Sequence, residues 1–538
     1  MILNQIFADQ QIGFPILSAM IFLPVLVALL LTIISNEETQ RKVTFFGMML
    51  NLAMALVVVY KFVPGISDMQ FVEQGNWMSG LGSSYHLGVD GISVLFLPLT
   101  ALLAVLVLLF SWNSVKFFNR FFLVNLLILE AATIGIFCSI DMILFFVFWE
   151  MALVPSFFLI KFWGVGAQRQ YAGMKYIVYM LFGSAPLLIS FLLVGWNYSN
   201  VAELTPGMQP YSFDLLTLLN TPIPLELQTT IFILMAIGFA VKGPMMPFHT
   251  WLPTTIMEGP IGFGVFLVGL KLGVYGMLRF VIPLLPDAAK EWYMVMVILG
   301  LVALLYGAVI ALVQPNMRRL LAFASVSHVG LAMVGLFSLN QQGMQGAVFT
   351  LINMGLTSTG LLFIAGFIYS RLGSTELSAM GGLTRHLPRM AAFCFIIGLA
   401  SIGMPGTSGF NGEFLVMLGS YRAHWAFSAV AVLGVILSAG YFLWYYERSF
   451  FGPVTSKVLP KLKDLAPREI TVAATLTVII LALGFNPAPV ANITSGSVAA
   501  VVQRLNDGSA VKVAQPAALP PAVEPAAKLE VVAPKVAG

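Results

Sequence analysis

At 538 residues, 59% hydrophobic, only 9% charged and with a formal net charge of +4, the chain departs far from soluble domains, in which about a quarter of residues are charged. Apolar runs recur from end to end, which excludes both a soluble globular domain and a single anchor with a soluble appendage. The two cysteines, Cys138 and Cys394, both sit in apolar runs and form no CxxC pair. No P-loop or strand-linked GxGxxG occurs either, so no disulfide framework, metal site, nucleotide, flavin or redox centre is expected. The expected surroundings are a lipid bilayer, with no nucleic acid.

A bilayer core needs about 20 apolar residues per helix. That rule predicts fourteen spans near 14–34, 43–63, 92–111, 118–138, 141–162, 171–195, 229–250, 260–284, 292–313, 317–338, 344–370, 390–418, 424–446 and 467–488. The first run lacks a basic leader and a small-residue cleavage site, so it reads as a retained span. The closing stretch, 489–538, is rich in Ala, Val and Pro, and its prolines argue for an extended or disordered tail. Seventeen of the 27 basic residues fall on one side of this layout, with four in the opposite loops and helix ends and four in the tail. By the positive-inside rule both termini face the periplasm or a lumen, in a bacterial inner membrane or a thylakoid.

Two cations remain, Lys242 and Lys271, where spans 7 and 8 are deepest. A charged side chain there costs about 2.5–3.5 kcal/mol even on insertion scales. Lys271 lies too deep to snorkel easily to the surface. Span 7 is interrupted by Gly243, Pro244 and Pro247, and such a break is tolerated only against protein or a water-filled cavity. Glu150 in span 5, His328 in span 10 and Glu413 in span 12 also fall near half depth, and His249 follows the first break. Glu130 in span 4 is a further intramembrane acid, relay member or structural. The plain alternative for the set is unrelated helix-packing ion pairs, but a row of Glu, Lys and His at membrane depth is the pattern of a proton path. Span 12 is interrupted as well, by Pro405, Gly406, Gly409 and Gly412 just before Glu413. Paired interruptions five helices apart suggest two inverted five-helix repeats, spans 4–8 and 9–13. The fold class is therefore an all-α polytopic membrane protein of about 14 transmembrane helices with broken helices 7 and 12. Its parts are 1–111 (spans 1–3), 118–284 (first repeat), 292–446 (second repeat), 467–488 (span 14) and 489–538 (tail).

The motifs FFVFWEMALVPSFFLI, FAVKGPMMPFHTWLP, LKLGVYGMLRF, RRLLAFASVSHVG and MPGTSGFNGEF resemble the antiporter-like M subunit of respiratory complex I, a family that includes chain 4 of the NAD(P)H-quinone oxidoreductase of photosynthetic membranes. The likeness covers roughly spans 3–14. It implies a non-redox, proton-translocating subunit among other membrane-arm subunits. NAD(P)H or ferredoxin, FMN, iron–sulfur clusters and quinone would belong to partner subunits, and no cofactor or metal to this chain. By motif position it makes Glu150 the partner of Lys242, and adds Lys271, His328 and Glu413 to the relay. Two departures stand out. The family's WLPDAH is here WLPTTI, with Thr254 and Ile256 for the acid and the histidine. A span-11 histidine is replaced by Met354, leaving Asn353 and nearby hydroxyls to hold water in the gap. The competing reading is a subunit of an Mrp-type cation/proton antiporter, which shares the span-5 glutamate and span-7 lysine. A third is a membrane scaffold that does not pump.

Overall fold

Inside a bilayer each segment must satisfy its own backbone N–H and C=O groups, and helices do so at least cost. The computed structural model describes residues 3–203, 209–453 and 462–508. Among them twelve helices are long and apolar enough to cross a membrane: Ile16–Ile33, Glu37–Lys61, Asn119–Cys138, Met142–Trp163, Arg169–Glu203, Leu225–Lys242, Ile261–Leu284, Pro286–Leu312, Met317–Leu336, Gln341–Leu372, Trp425–Phe451 and Pro467–Phe485. Two shorter apolar helices, Phe96–Ser111 and Pro388–Ser401, accompany them. The outer faces present Phe22, Ile33, Tyr60, Phe182, Ile436 and Phe485, the apolar surface a lipid solvent requires.

Burial separates an axis from a periphery. The apolar windows of Ile261–Leu284 and Met317–Leu336 are each 94% buried and that of Gln341–Leu372 is 100% buried, against 28% for Glu37–Lys61 and Pro467–Phe485. The three axial helices are the ones that carry Lys271, His328 and Asn353.

The chain is not purely helical, as composition had suggested. β1 (Gln5–Phe7), β2 (Met69–Met78) and β3 (Ser83–Val89) form a three-stranded sheet in that order, β1 parallel to β2 and β2 antiparallel to β3. β2 and β3 lie in the connection between the second and third apolar helices and β1 precedes the first, all outside the spans, where an antiparallel pair can keep one face in water. Asp214 holds its base by accepting from His86 Nδ1 at 2.7 Å. That contact and that charge keep the Asp214 carboxyl below its usual range, although burial pushes the other way.

The expected extended tail is also corrected. Residues Ala488–Asp507 form a helix of 20 residues. Pro487 and Pro489 fall at its cap and first turn, where a missing N–H costs nothing, and the next proline is Pro516. The helix buries Val490, Thr494, Ser497, Val501 and Leu505 at helical spacing. Ser497 Oγ accepts the Gly91 N–H at 2.9 Å and Arg504 Nε donates to the Pro283 carbonyl at 3.3 Å. The β-sheet, the start of the third apolar segment and this helix therefore gather at one end of the bundle. The rest of the tail, 509–538, and the loop cations Lys457 and Lys461 lie outside the described residues.

At the opposite end, cations from the first two turns of helices donate to backbone carbonyls, three of them at helix C-termini. Arg120 donates to the Ile34 carbonyl, Arg169 to Gly164, Lys175 to Thr250 and Arg318 to Gly259. Orphan carbonyls and the negative end of the helix dipole favour cations there.

Both expected interruptions are present. Leu225–Lys242 stops at Gly243 and helical chain resumes at Phe248–Thr250 and Trp251–Glu258. Pro388–Ser401 stops before the 402–407 loop and Ser408–Ala423 follows. A third interruption was not expected. The helix Ile261–Gly269 ends, Leu270 and Lys271 leave helical geometry with ψ of 107° and 66°, and the chain continues as Leu272–Gly276 and the π-helical turn Met277–Val281.

Candidate functional site

The first and third interruptions touch. A Cβ at Gly273 would lie 2.1 Å from the Phe239 carbonyl oxygen and 2.6 Å from the Gly243 amide nitrogen. Only glycine allows the two opened backbones to meet, and this contact puts the ends of Lys242 and Lys271 on neighbouring broken turns.

Lys242 is half-buried. Its Nζ donates to the Trp149 carbonyl at 2.9 Å and stands 3.8 Å above the Trp149 ring centre, a close cation–π contact. Glu150, the next residue, accepts a short hydrogen bond from Ser184 Oγ. Among the described residues no ion pair within 4 Å joins Glu150 to Lys242. The glutamate is held by a hydroxyl and the lysine by a carbonyl and an indole, one residue apart.

A cavity of about 40 Å³ lies beside Lys242, lined also by Thr133, Ser156, Tyr176, Leu267 and Leu270. One water needs about 10–15 Å³ of such volume and two to four polar partners, so the space and its hydroxyls suit water. The cavity reaches the turn that receives the second lysine: Lys271 Nζ donates to the Leu267 carbonyl at 3.0 Å. Lys271 is 3% exposed and no carboxylate pairs with it among the described residues.

Leu272–Gly276 packs on Met317–Leu336, the helix of His328. That histidine is buried, with Nε2 at 3.4 Å from Tyr441 Oη. The helix Gln341–Leu372, buried throughout its apolar window, then reaches two interruptions. Near one, Thr359 Oγ1 has no hydrogen-bond partner and faces Gly269, where an added Cβ would approach it to 2.7 Å. Near the other, Asn353 Oδ1 accepts from Ser408 Oγ at 2.7 Å. Six residues separate Thr359 from Asn353, about 9 Å along the helix. Asn353 thus holds the start of the Glu413 helix directly. Met354 is buried in the apolar core.

Glu413 is buried, and its Oε1 lacks a partner. The other carboxylate oxygen lies against Gly403, whose φ is +70° and where a Cβ would come within 2.1 Å. The loop closes over the carboxylate only because that residue is glycine.

The remaining candidates lie apart from the Lys242 cavity. Glu130 Oε1 accepts from Asn51 Nδ2 at 2.8 Å. His249 is buried against Tyr306, ring centres 5.1 Å apart, with Nδ1 unpartnered. The unusual Thr254 accepts from Lys175 Nζ at 3.1 Å, so a hydroxyl serves this lysine where the resembled family has an acid. Ile256 is buried, and its carbonyl takes a short hydrogen bond from Arg318. Trp149, Ser184, Tyr441, Ser408 and Thr359 escaped the sequence reading. Ser184 alone carried a signal, a hydroxyl in an apolar run two residues before Pro186. Among the described residues no group of three or more His, Cys, Asp or Glu is placed to hold a metal ion.

Apolar helices that break against one another, each break carrying an intramembrane ionisable residue, define a polytopic membrane protein of the antiporter-like class. Residues 139–438 match the family described as NADH:quinone oxidoreductase/Mrp antiporter, TM. The chain is 36% identical over 495 residues to NADH-quinone oxidoreductase subunit M of Rickettsia conorii, covering 90% of this chain and 98% of that one. It superposes with a TM-score of 0.82 on a chain of respiratory complex I from Thermus thermophilus with bound NADH, at 31% identity, covering 91% of this chain and 99% of that one. Against a chain of the Mrp complex from a Dietzia species the TM-score is 0.74 at 19% identity, covering 91% of this chain and 55% of that one, a likeness of fold. The chain belongs to the antiporter-like M-subunit family of the NADH-quinone oxidoreductases.

Proposed function

We propose that this chain is a proton-translocating membrane subunit of an NADH-quinone oxidoreductase. Quinone reduction takes place on partner subunits, which would hold the NADH, FMN, iron–sulfur and quinone sites, while this chain carries protons and no redox group. Glu150, Lys242, Lys271, His328 and Glu413 form the relay. His249 stands beside the first interruption, and Asn353 takes the place of a titratable group in the eleventh span. The observation that carries the reading is the Gly243–Gly273 contact. It joins the lysine-bearing turns across a cavity sized for water, and lysine is suited to the task because it gives up its proton readily when desolvated.

In this reading the helices make fourteen spans, with Phe96–Ser111 as the third and the two halves Pro388–Ser401 and Ser408–Ala423 as the twelfth. Residues 118–284 and 292–446 are inverted repeats, and both termini lie on the periplasmic side of a bacterial inner membrane. The Glu150–Lys242 separation fits one state of a pair that closes when a proton moves.

The alternative, a subunit of an Mrp-type antiporter, draws support from the shared family description and from fold likeness at 19% identity, and not from the 36% identical relative. Purification of the intact assembly from native membranes separates the two. Quinone-oxidoreductase subunits and NADH:quinone activity should accompany this chain. Antiporter subunits without such activity would overturn the assignment.

A further inference from the structure

Glu130 places a carboxyl group at the middle of Asn119–Cys138, fully buried, and the relay does not use it. Among the described residues its single hydrogen-bond partner is Asn51, equally buried, on Glu37–Lys61. The amide Nδ2 donates to Oε1, and two acceptor oxygens are then left unpartnered, Glu130 Oε2 and Asn51 Oδ1. One atom would satisfy both: a proton on Oε2, donated to Oδ1.

We infer that Glu130 is a proton-binding site separate from the relay, holding a resident proton as a neutral carboxylic acid closed on Asn51 by two reciprocal hydrogen bonds. A carboxylic acid and a primary amide each offer one donor and one acceptor on a planar edge, so the pair is complete only when the acid is neutral. As a carboxylate, Glu130 would keep one buried oxygen without a donor and would face a second acceptor.

The charges around it argue the same way. Its helix packs against Ile16–Ile33, Glu37–Lys61, Phe96–Ser111, Met142–Met151, Leu153–Trp163 and β3. The cations of these elements, Arg41, Lys42, Lys61 and Lys161, lie near helix ends, as do Arg120 on its own helix and the Tyr85 and His86 of β3. Among these elements the ionisable group at its own depth is an acid, Glu150; the mid-depth cation Lys242 lies across the cavity that Leu129 and Thr133 of the same helix line, and Glu130 does not line it. Glu130 lies eight residues before Cys138 and Glu150 eight residues after Met142 on the adjoining antiparallel helix, about 12 Å from the same end of each. A neutral Glu130 leaves Glu150 as the one of the two that can ionise opposite Lys242, and this assignment stands whether or not the relay reading holds.

The test is infrared difference spectroscopy of the purified complex, wild type minus Glu130→Gln, in H₂O and in D₂O, with proton pumping measured on the same preparations. The expected result is a carboxylic-acid C=O band present in the wild type, lost in the variant and shifted down in D₂O, with assembly and pumping unchanged, because glutamine rebuilds the two-bond pair without a titrating proton. Asn51→Leu should keep the acid band but move it to the higher frequency of a free acid. Loss of a carboxylate band in Glu130→Gln would overturn the inference. So would pumping that falls as steeply as in Glu150→Gln, or failure of Glu130→Gln to assemble, since an amide meets every hydrogen bond the neutral acid makes.

Discussion

In the proposed relay, Asn353 stands beside Met354, which breaks the row of titratable groups. It accepts the Ser408 hydroxyl at 2.7 Å, one link from the segment that carries Glu413, while Thr359 offers an unsatisfied hydroxyl about two turns away. Hydroxyls and amides cannot store a proton at neutral pH but can orient water that passes one. Asn353→Leu would leave Ser408 buried without its acceptor, a cost of about 1–3 kcal/mol, and would dry the step between Lys271 and Glu413. Proton uptake per quinone reduced is expected to fall while quinone reduction persists. Unchanged uptake in an assembled variant would take the path away from the eleventh span.

At the scale of elements the interruptions matter more than the helices. Those at Gly243 and at 402–407 were legible because proline removes a helical hydrogen bond and glycine lets the chain leave helical geometry at little steric cost. The one at Leu270 and Lys271 was not, since no proline marks it. It follows from a tertiary contact, Gly273 against the Phe239 carbonyl, that no local pattern encodes. The β-sheet and the Ala488–Asp507 helix were missed for related reasons. Residues 69–78 carry no regular strand alternation, and the prolines that make the tail look extended lie mainly beyond residue 515. The ionisable residues were read from their depth alone, whereas their actual partners, Trp149, Ser184 and Tyr441, depend on which helices face each other. Gly273→Ala tests the contact. A methyl 2.1 Å from a carbonyl oxygen must drive the two broken turns apart, at a cost of about 1–3 kcal/mol or more. A lower melting temperature and weaker pumping are expected together, and a variant with wild-type stability would mean that the turns do not need to touch.

For the whole molecule, the two ends of the bundle differ in chemistry. One carries the β-sheet and the Ala488–Asp507 helix, the other the cations that cap helix carbonyls. That polarity fits the periplasmic placement of both termini. A phosphatase reporter fused after Gly508 should be active, and one fused after Lys463 inactive. The reverse pattern would invert the proposed direction of every proton step. The central claim is that Lys242 passes protons between Glu150 and the Lys271 turn. Its most direct test is proton uptake into sealed vesicles, measured per quinone reduced, for assembled complexes carrying Lys242→Ala. The account expects uptake to fall roughly a hundredfold, the lower end of what a proton-transferring group contributes, with Lys242→Arg also impaired because arginine does not deprotonate. Wild-type uptake in an assembled Lys242→Ala complex would contradict it.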